Sequence, residues 1–264
     1  DVDRYLPPNQ PKTSSITPEV AGFGLATLPS DILRQVNGTG VIEVGKLKFS
    51  NLEIDDLKIQ SESSAGLISF SPINANLYGG TYRGNLTIDA RNPQSILRID
   101  SSLNDVALEP LIYAKANSRL VGGTANLEIK LDGIGSSGNE LLATLKGESS
   151  LEIQKGVVSG LDASAILQTV EKIIECKCPL PIPKDGTTVF ESLTASITIA
   201  DGIVHNNNFL LLGEGFLMDG KARVDVKNES IKLDLALRVP ESRQTSSAGN
   251  FNLGGYIVPI RCEG

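Results

Sequence analysis

Alternation of apolar and polar residues with a period of two is the feature that most constrains the fold of this chain. From Ile231 to Val239 the odd positions are Ile, Leu or Val, and Lys232, Asp234 and Arg238 lie between them. Six further segments repeat the pattern, over residues 82–90, 97–103, 125–131, 141–154, 193–199 and 222–226. This period is typical of strands in an antiparallel sheet with one apolar face and one solvated face.

Turn-forming dipeptides separate many of these segments and predict hairpins. Gly79-Gly80, Asp201-Gly202 and Asp219-Gly220 are examples. The alternation slips by one residue at Asp55-Asp56 and around Gly45, where we expect bulges or bends.

Helical spacing is rare in the chain. Short helices are predicted over residues 30–36, 109–116 and 162–175, and Asp162 has the right chemistry to cap the third. Such a helix either closes one end of a sheet or fills its core.

The predicted fold class is therefore all-β, mainly antiparallel, with a few short helices. Residues 1–28, which contain Pro7, Pro8 and Pro11, are predicted to be an extended linker, and residues 29–264 a single β-domain. One continuous aliphatic face has to be hidden. It can fold on itself, pack on a second sheet, or curl into a trough that accepts an apolar ligand, and the period does not choose among these.

If the face forms a groove, the predicted lining is a set of aliphatic residues from the alternating segments. The alternative is that the same residues form the core of an ordinary sandwich. The candidate lining residues are Leu127, Ile129, Leu131, Leu145, Leu151, Ile153, Leu233, Leu235 and Leu237.

The sequence offers little catalytic chemistry. His205 is the only histidine, and no Gly-x-Ser-x-Gly elbow accompanies it. Together with Cys176, Cys178 and Cys262 it has the ligand count of a zinc site, but the spacing does not match a zinc knuckle. We therefore expect a protein that is not an enzyme, with no metal and no cofactor.

Three cysteines leave at least one unpaired. One interpretation is a structural disulfide between Cys262 and either Cys176 or Cys178, which requires an oxidising compartment.

Charge and hydropathy restrict the partners. The net charge is −7 and Lys and Arg are scattered, so no nucleic-acid partner is expected. No run approaches the roughly 20 apolar residues that span a bilayer. The first residues lack the apolar region of a signal peptide. Taken alone, these features are typical of a soluble chain, and they fit equally well a segment of a longer, anchored protein.

Several segments, in order, resemble the AsmA family. Ala75 to Gly84 is similar to that family's Leu-Tyr-Gly-Gly turn, and Thr188 to Leu193 is similar to its Thr-x-Phe…Leu segment. Further similar segments are residues 1–7, 122–125, 141–162 and 256–260.

This resemblance implies a long, curved sheet with an apolar groove, in a periplasmic region of a protein anchored in the Gram-negative inner membrane. It implies a phospholipid or other acyl-chain ligand, a role in lipid transport between the inner and outer membranes, and possible outer-membrane assembly proteins as partners. Two alternatives stay open: a scaffold that binds proteins through its sheet edges, and a secreted sandwich adhesin.

Overall fold

The computed structural model describes residues 30–49, 51–116, 121–176, 186–225, 228, 230–239 and 257–263. These residues form twelve strands and four helices. The helices are α1 (Ser30–Leu33), α2 (Leu108–Ala116), α3 (Gly138–Ala143) and α4 (Ala163–Cys176). The strands are β1 (Gly38–Phe49), β2 (Leu52–Ser64), β3 (Leu67–Leu77), β4 (Gly80–Asp89), β5 (Ser95–Ala107), β6 (Val121–Gly135), β7 (Lys146–Ser159), β8 (Thr187–Ala200), β9 (Ile203–Gly213), β10 (Phe216–Asp225), β11 (Ser230–Arg238) and β12 (Ile257–Glu263).

All twelve strands belong to one antiparallel sheet in which spatial order equals chain order, and β1 and β12 are its edges. The predicted all-β, antiparallel class is confirmed. The sheet is open and curled: helix α2 contacts both β6 and β2, although four strand spacings separate these strands by about 19 Å in a flat sheet.

The two faces of the sheet differ in the way that the period predicts. Exposed and half-buried residues alternate along most of β2. The outer face carries cross-strand ion pairs, such as Lys46–Asp55 at 3.6 Å and Lys58–Glu43 at 2.5 Å. The inner face is mainly aliphatic, because the residues between these charges are Leu, Ile and Val.

The predicted bulge at Asp55-Asp56 is confirmed. Asp56 has a φ of 51°, and the β2–β3 register shifts between Asp55 and Lys58. The β1–β2 register shows no shift on either side of Gly45, where Val44 pairs with Leu57 and Lys46 with Asp55. The inward–outward alternation therefore shifts by one residue in both strands at the same point, and their pairing is unchanged.

The three predicted helices are present, although α1 is shorter than predicted and ends at Leu33. Asp162 caps α4 as expected: the Ala165 amide donates to Asp162 Oδ1 at 2.8 Å. Predicting the helix starts was possible because capping depends on local chemistry.

Helix α3 was not predicted, and the strand predicted from Leu141 is wrong in its first part. Strand β7 begins at Lys146, so Leu145 lies in the connection and not on a strand. The cause is a capping box: Glu140 N donates to Ser137 Oγ at 3.2 Å, and Glu140 Oε2 accepts from the Ser136 amide at 2.7 Å.

The predicted turn at Asp219-Gly220 is also wrong, because both residues lie inside β10. Asp219 forms an ion pair with Arg238 of β11. Gly220 lies beneath Leu235, whose side chain and backbone would clash with an added Cβ. The glycine therefore provides a close approach between strands and not a reversal.

Connections divide the helices between the two margins of the sheet. Because neighbouring strands are antiparallel, α2 (between β5 and β6) and α4 (between β7 and β8) lie at the same margin. Helix α3, between β6 and β7, lies at the opposite margin with α1. The inner face is thus flanked by helices on both sides.

Candidate functional site

One row of cross-strand neighbours on the inner face is apolar across the whole sheet. We call it the long row. Consecutive members are paired by register, as in Leu103–Leu127, Leu127–Leu151 and Leu151–Ala195. Bulges carry the row across the two remaining steps, from Leu57 to Ala75 and from Ala195 to Phe209. Its members, from β1 to β12, are Val44, Leu57, Ala75, Tyr82, Leu103, Leu127, Leu151, Ala195, Phe209, Gly220, Leu235 and Ile260.

The long row is accessible along most of its length. Every member except Ala75 is half-buried and not sealed. With strands about 4.8 Å apart, the twelve-strand row is about 50 Å long, several times the roughly 15 Å depth of one hydrocarbon leaflet. It therefore provides a long apolar surface that stays partly open to solvent.

A second row, two residues from the long row on β6–β11 and three residues from it on β5, is sealed. We call it the covered row. Its register is continuous from β5 to β11, and its members are at most 7% exposed. They are Val106, Ala125, Ile153, Leu193, Leu211, Met218 and Leu237.

Helix α4, which contacts β8, contributes to the cover of the β6–β11 part of this row. Ala163, Ile166 and Leu167 are at most 5% exposed and belong to the same hydrophobic cluster as the covered row. Two aromatic rings complete that cluster. Phe190 lies over Gly156, and Phe216 over Gly213, each on the neighbouring strand.

The structure places eight of the nine candidate lining residues on the inner face, in different rows. Leu127, Leu151 and Leu235 lie in the long row, whereas Ile153 and Leu237 lie in the covered row. Three more lie in rows beyond the long row on the same face: Ile129, Leu131 and Leu233. Leu145, outside the strands, approaches Gly133 at the α3 margin.

The predicted lining includes only three of the twelve members of the long row, and phase slips hide several of the others. Val44 and Leu57 flank the Gly45–Asp56 slip, and Phe209 lies inside a continuous apolar run. Pairing the predicted strands in chain order, as simple hairpins, was the signal that could have aligned these residues.

The next row on the inner face is mixed. Ser101, Ser149 and Asn206 alternate there with Ile129 and Ile197. The inner face is therefore not uniformly apolar, and the long row is its most continuous apolar surface.

Two asparagines complete the sheet at the β9 bulge. Asn206 Nδ2 donates to the Ser196 carbonyl, and the Ser196 amide donates to Asn208 Oδ1, both at 2.8 Å. These side chains replace backbone hydrogen bonds that the bulge removes.

A shallow depression of about 380 Å³ crosses β5 to β9. Four members of the long row contribute to it, including Leu127 and Leu151, but most of its lining residues carry polar side chains that alternate with that row. The depression therefore belongs to the outer face. The polar residues are Asn104, Asn126, Glu128, Ser150, Glu152, Thr194, Ser196 and Asn208.

Most of the ion pairs on the described surface link neighbouring strands, as in Arg98–Asp132 and Arg261–Asp234. The Arg91 guanidinium, hydrogen-bonded to Asp89 at 2.6 Å, lowers the pKa of that carboxyl to about 2. Hydrogen bonding and charge from Lys58 lower the pKa of Glu43. These pairs stabilise turns and neighbouring strands.

His205 lies on the outer face, where its Nε2 is 3.1 Å from Arg223 Nη1. Among the residues that the structure describes, no group of three His, Cys, Asp or Glu side chains is arranged to hold a metal. Cys178 and the side chains of Cys176 and Cys262 lie outside the described part of the chain, so the disulfide stays a prediction. None of the described helices is long and apolar enough to cross a membrane.

The model of the AsmA family matches residues 21–209, well over half of the chain. The chain belongs to the AsmA family. The match extends from before β1 into β9, so this AsmA-family chain carries most of its open inner face within the matched region. No curated protein and no solved structure is significantly similar to it.

Proposed function

We propose that this AsmA-family protein is a non-enzymatic, lipid-handling module that shields acyl chains along its inner face. In the full protein, anchored in the inner membrane, it supports phospholipid transport across the periplasm and outer-membrane biogenesis. Membership of the AsmA family supports a role of this kind. The observation that carries the proposal is the long row, which is apolar in all twelve strands and half-buried in every strand except β3.

The physical need is the cost of moving acyl chains through water. A diacyl lipid has about 30 methylenes, and exposing each costs about 0.8 kcal/mol, or roughly 25 kcal/mol in total. A row of aliphatic side chains lowers this cost by covering the tails while the headgroup stays hydrated. No reacting group is needed for that task.

The dimensions suit such a ligand. Same-face rows along a strand are about 7 Å apart, so the long row, the mixed row beside it and the next row toward α3 provide a floor about 13 Å wide. Carbon chains in van der Waals contact lie about 4 Å apart. Two tails therefore fit side by side, and several lipids fit along the length.

A second candidate function, a scaffold for outer-membrane assembly proteins, is favoured by the difference between the two sheet edges. Strand β12 is short and carries Pro259, which removes a backbone donor. Strand β1 has twelve residues without proline, and Val41 is 60% exposed. Such an edge is suited to the addition of a strand from another protein.

Leu235→Asp tests the lipid proposal. Leu235 is half-buried in the long row, so a carboxylate there repels alkyl chains while most of the sheet stays packed. We expect lipid that co-purifies with the wild type to be lost from this variant, as measured by native mass spectrometry, with strand content unchanged by circular dichroism.

Leu212→Asp is the matched control, because Leu212 lies on the outer face and is 37% exposed. It should retain lipid. Equal loss of lipid in both variants, or a wild-type protein that carries no lipid when expressed with its natural membrane, would favour the scaffold.

A further inference from the structure

The boundary between the long row and the covered row restricts the shape of a bound lipid chain, an inference that rests on the proposed function. The two rows are neighbours on the same strands, yet one is accessible and the other is sealed. A bound alkyl chain on the long row therefore meets whatever stands on the covered row.

Helix α4 stands there as a single layer. Its side chains at Ala163, Ile166 and Leu167 face the sheet, whereas Ser164 and Gln168 are exposed. The helix thus presents apolar side chains to the inner face and polar side chains to solvent, and no other described segment covers it at these positions.

The start of α4 is fixed to the sheet. Thr188 Oγ1, on β8, accepts a hydrogen bond from the Ala163 amide at 3.0 Å and donates to the Leu161 carbonyl at 2.7 Å. The Gly160 amide donates to the Gly186 carbonyl at 2.8 Å. These bonds hold the first turns of the helix at one position above the covered row.

The cluster under α4 also reaches the long row. Leu151, Phe209, Leu235 and Ile260 pack against this cluster. Leu103 and Leu127, which continue the long row toward β5, are outside it. From β7 to β12 the long row therefore runs along the side of the cluster that α4 caps.

We propose that the first turns of α4 are the wall of the lipid groove between β7 and β12, and that the volume filled by Ile166 and Leu167 behind this wall sets which alkyl chains the groove accepts. The wall confines a chain to the long row and excludes chains with bulky branches. The substrate class is thereby narrowed to straight alkyl chains.

The side chains under α4 act by filling space that a branched chain would otherwise occupy. A large-to-small substitution under α4 leaves an apolar cavity, and such cavities stay dry and take up apolar groups. A cavity beside the long row can receive the methyl branches of a chain that the wild-type wall rejects. Each methyl group newly buried raises affinity about fourfold.

The test compares palmitic acid with phytanic acid, a chain with four methyl branches, by displacement of a fluorescent fatty acid. We expect wild-type protein to prefer palmitic acid. Leu167→Ala should reduce that preference by about fourfold or more. Ile166→Val, a milder change, should reduce it less and keeps the test informative if Leu167→Ala unfolds. Leu212→Ala on the outer face is the matched control and should leave the preference unchanged.

The two proposals fail in different ways. Unchanged preference in both α4 variants, with both acids still bound, would overturn the wall and leave the groove. Binding of neither acid to the wild type would instead overturn the proposed groove itself.

Discussion

The long row and the covered row have nearly the same side chains and lie about 7 Å apart on the same strands. Leu127 and Leu235 of the long row are half-buried, whereas Leu237 of the covered row is 0% exposed and Met218 is 2% exposed. Side-chain chemistry therefore does not distinguish an accessible surface from a core in this protein. The difference depends on whether a helix or an aromatic ring lies over the row.

The helical cover comes from the connections and not from the strands. Most strand pairs are joined by tight turns, but the β7–β8 connection contains the 14-residue helix α4. Its apolar side has to be buried, and the nearest apolar surface is the inner face at the same margin. A long β7–β8 connection that contains a helix therefore buries part of the inner face, which would otherwise be accessible.

The largest expected difference between the two rows is in stability. Leu237→Ala should lower the free energy of unfolding by about 3–4 kcal/mol, because it leaves a cavity in a sealed cluster. Leu127→Ala should cost less than about 1.5 kcal/mol, because solvent already reaches that side chain. Urea unfolding of the two variants measures both values.

Similar losses in these two variants, near the larger value, would mean that the long row is also core. The sheet would then be a closed structure without an accessible apolar surface, and the lipid proposal would lose its foundation.

Much of this fold could be predicted from the sequence, because strand identity depends on local alternation. The runs around Leu127, Leu151 and Leu235 alternate cleanly and lie on the inner face as expected. The N-cap of α4 and the bulge at Asp56 could also be predicted, since both depend on a few neighbouring residues.

The separation of groove from core was beyond the sequence pattern. Ile153 and Leu237 have the same period as Leu151 and Leu235, and the cluster that they form with α4 and two phenylalanine rings makes them core. Leu145 was misplaced for a different reason: the alternation of Leu141, Ala143 and Leu145 outweighed the Ser137–Glu140 capping box. A local cap overrode a period-two pattern there.

Replacing a glycine by alanine should destabilise the protein when the glycine contacts the sealed cluster and not when it lies outside it, and this loss of stability is smaller than that of Leu237→Ala. A Cβ on Gly156 would clash with the Phe190 ring, whereas nothing lies within 4 Å of a Cβ on Gly45. Gly156→Ala should therefore destabilise the protein by about 1–3 kcal/mol through overpacking. Gly45→Ala should leave the melting temperature nearly unchanged. A tolerated Gly156→Ala would show that the cluster under α4 is loosely packed.

Loss of the N-cap of α4 should have the smallest effect on stability, and this effect should be confined to the helix and the row that it covers. Asp162→Ala removes the side chain that accepts from the Ala165 amide, and loss of an N-cap costs about 1 kcal/mol. Asp162→Asn retains an acceptor and is the matched control. Because the cap acts on α4 and not on the strands, hydrogen exchange should rise at α4 amides and at covered-row amides such as Leu193 and Leu211. Exchange at Leu103 and Leu127 should stay as it is. A uniform rise across both rows would mean that α4 stabilises the whole sheet and is no separate cover, and then the contrast between groove and core would not depend on this helix.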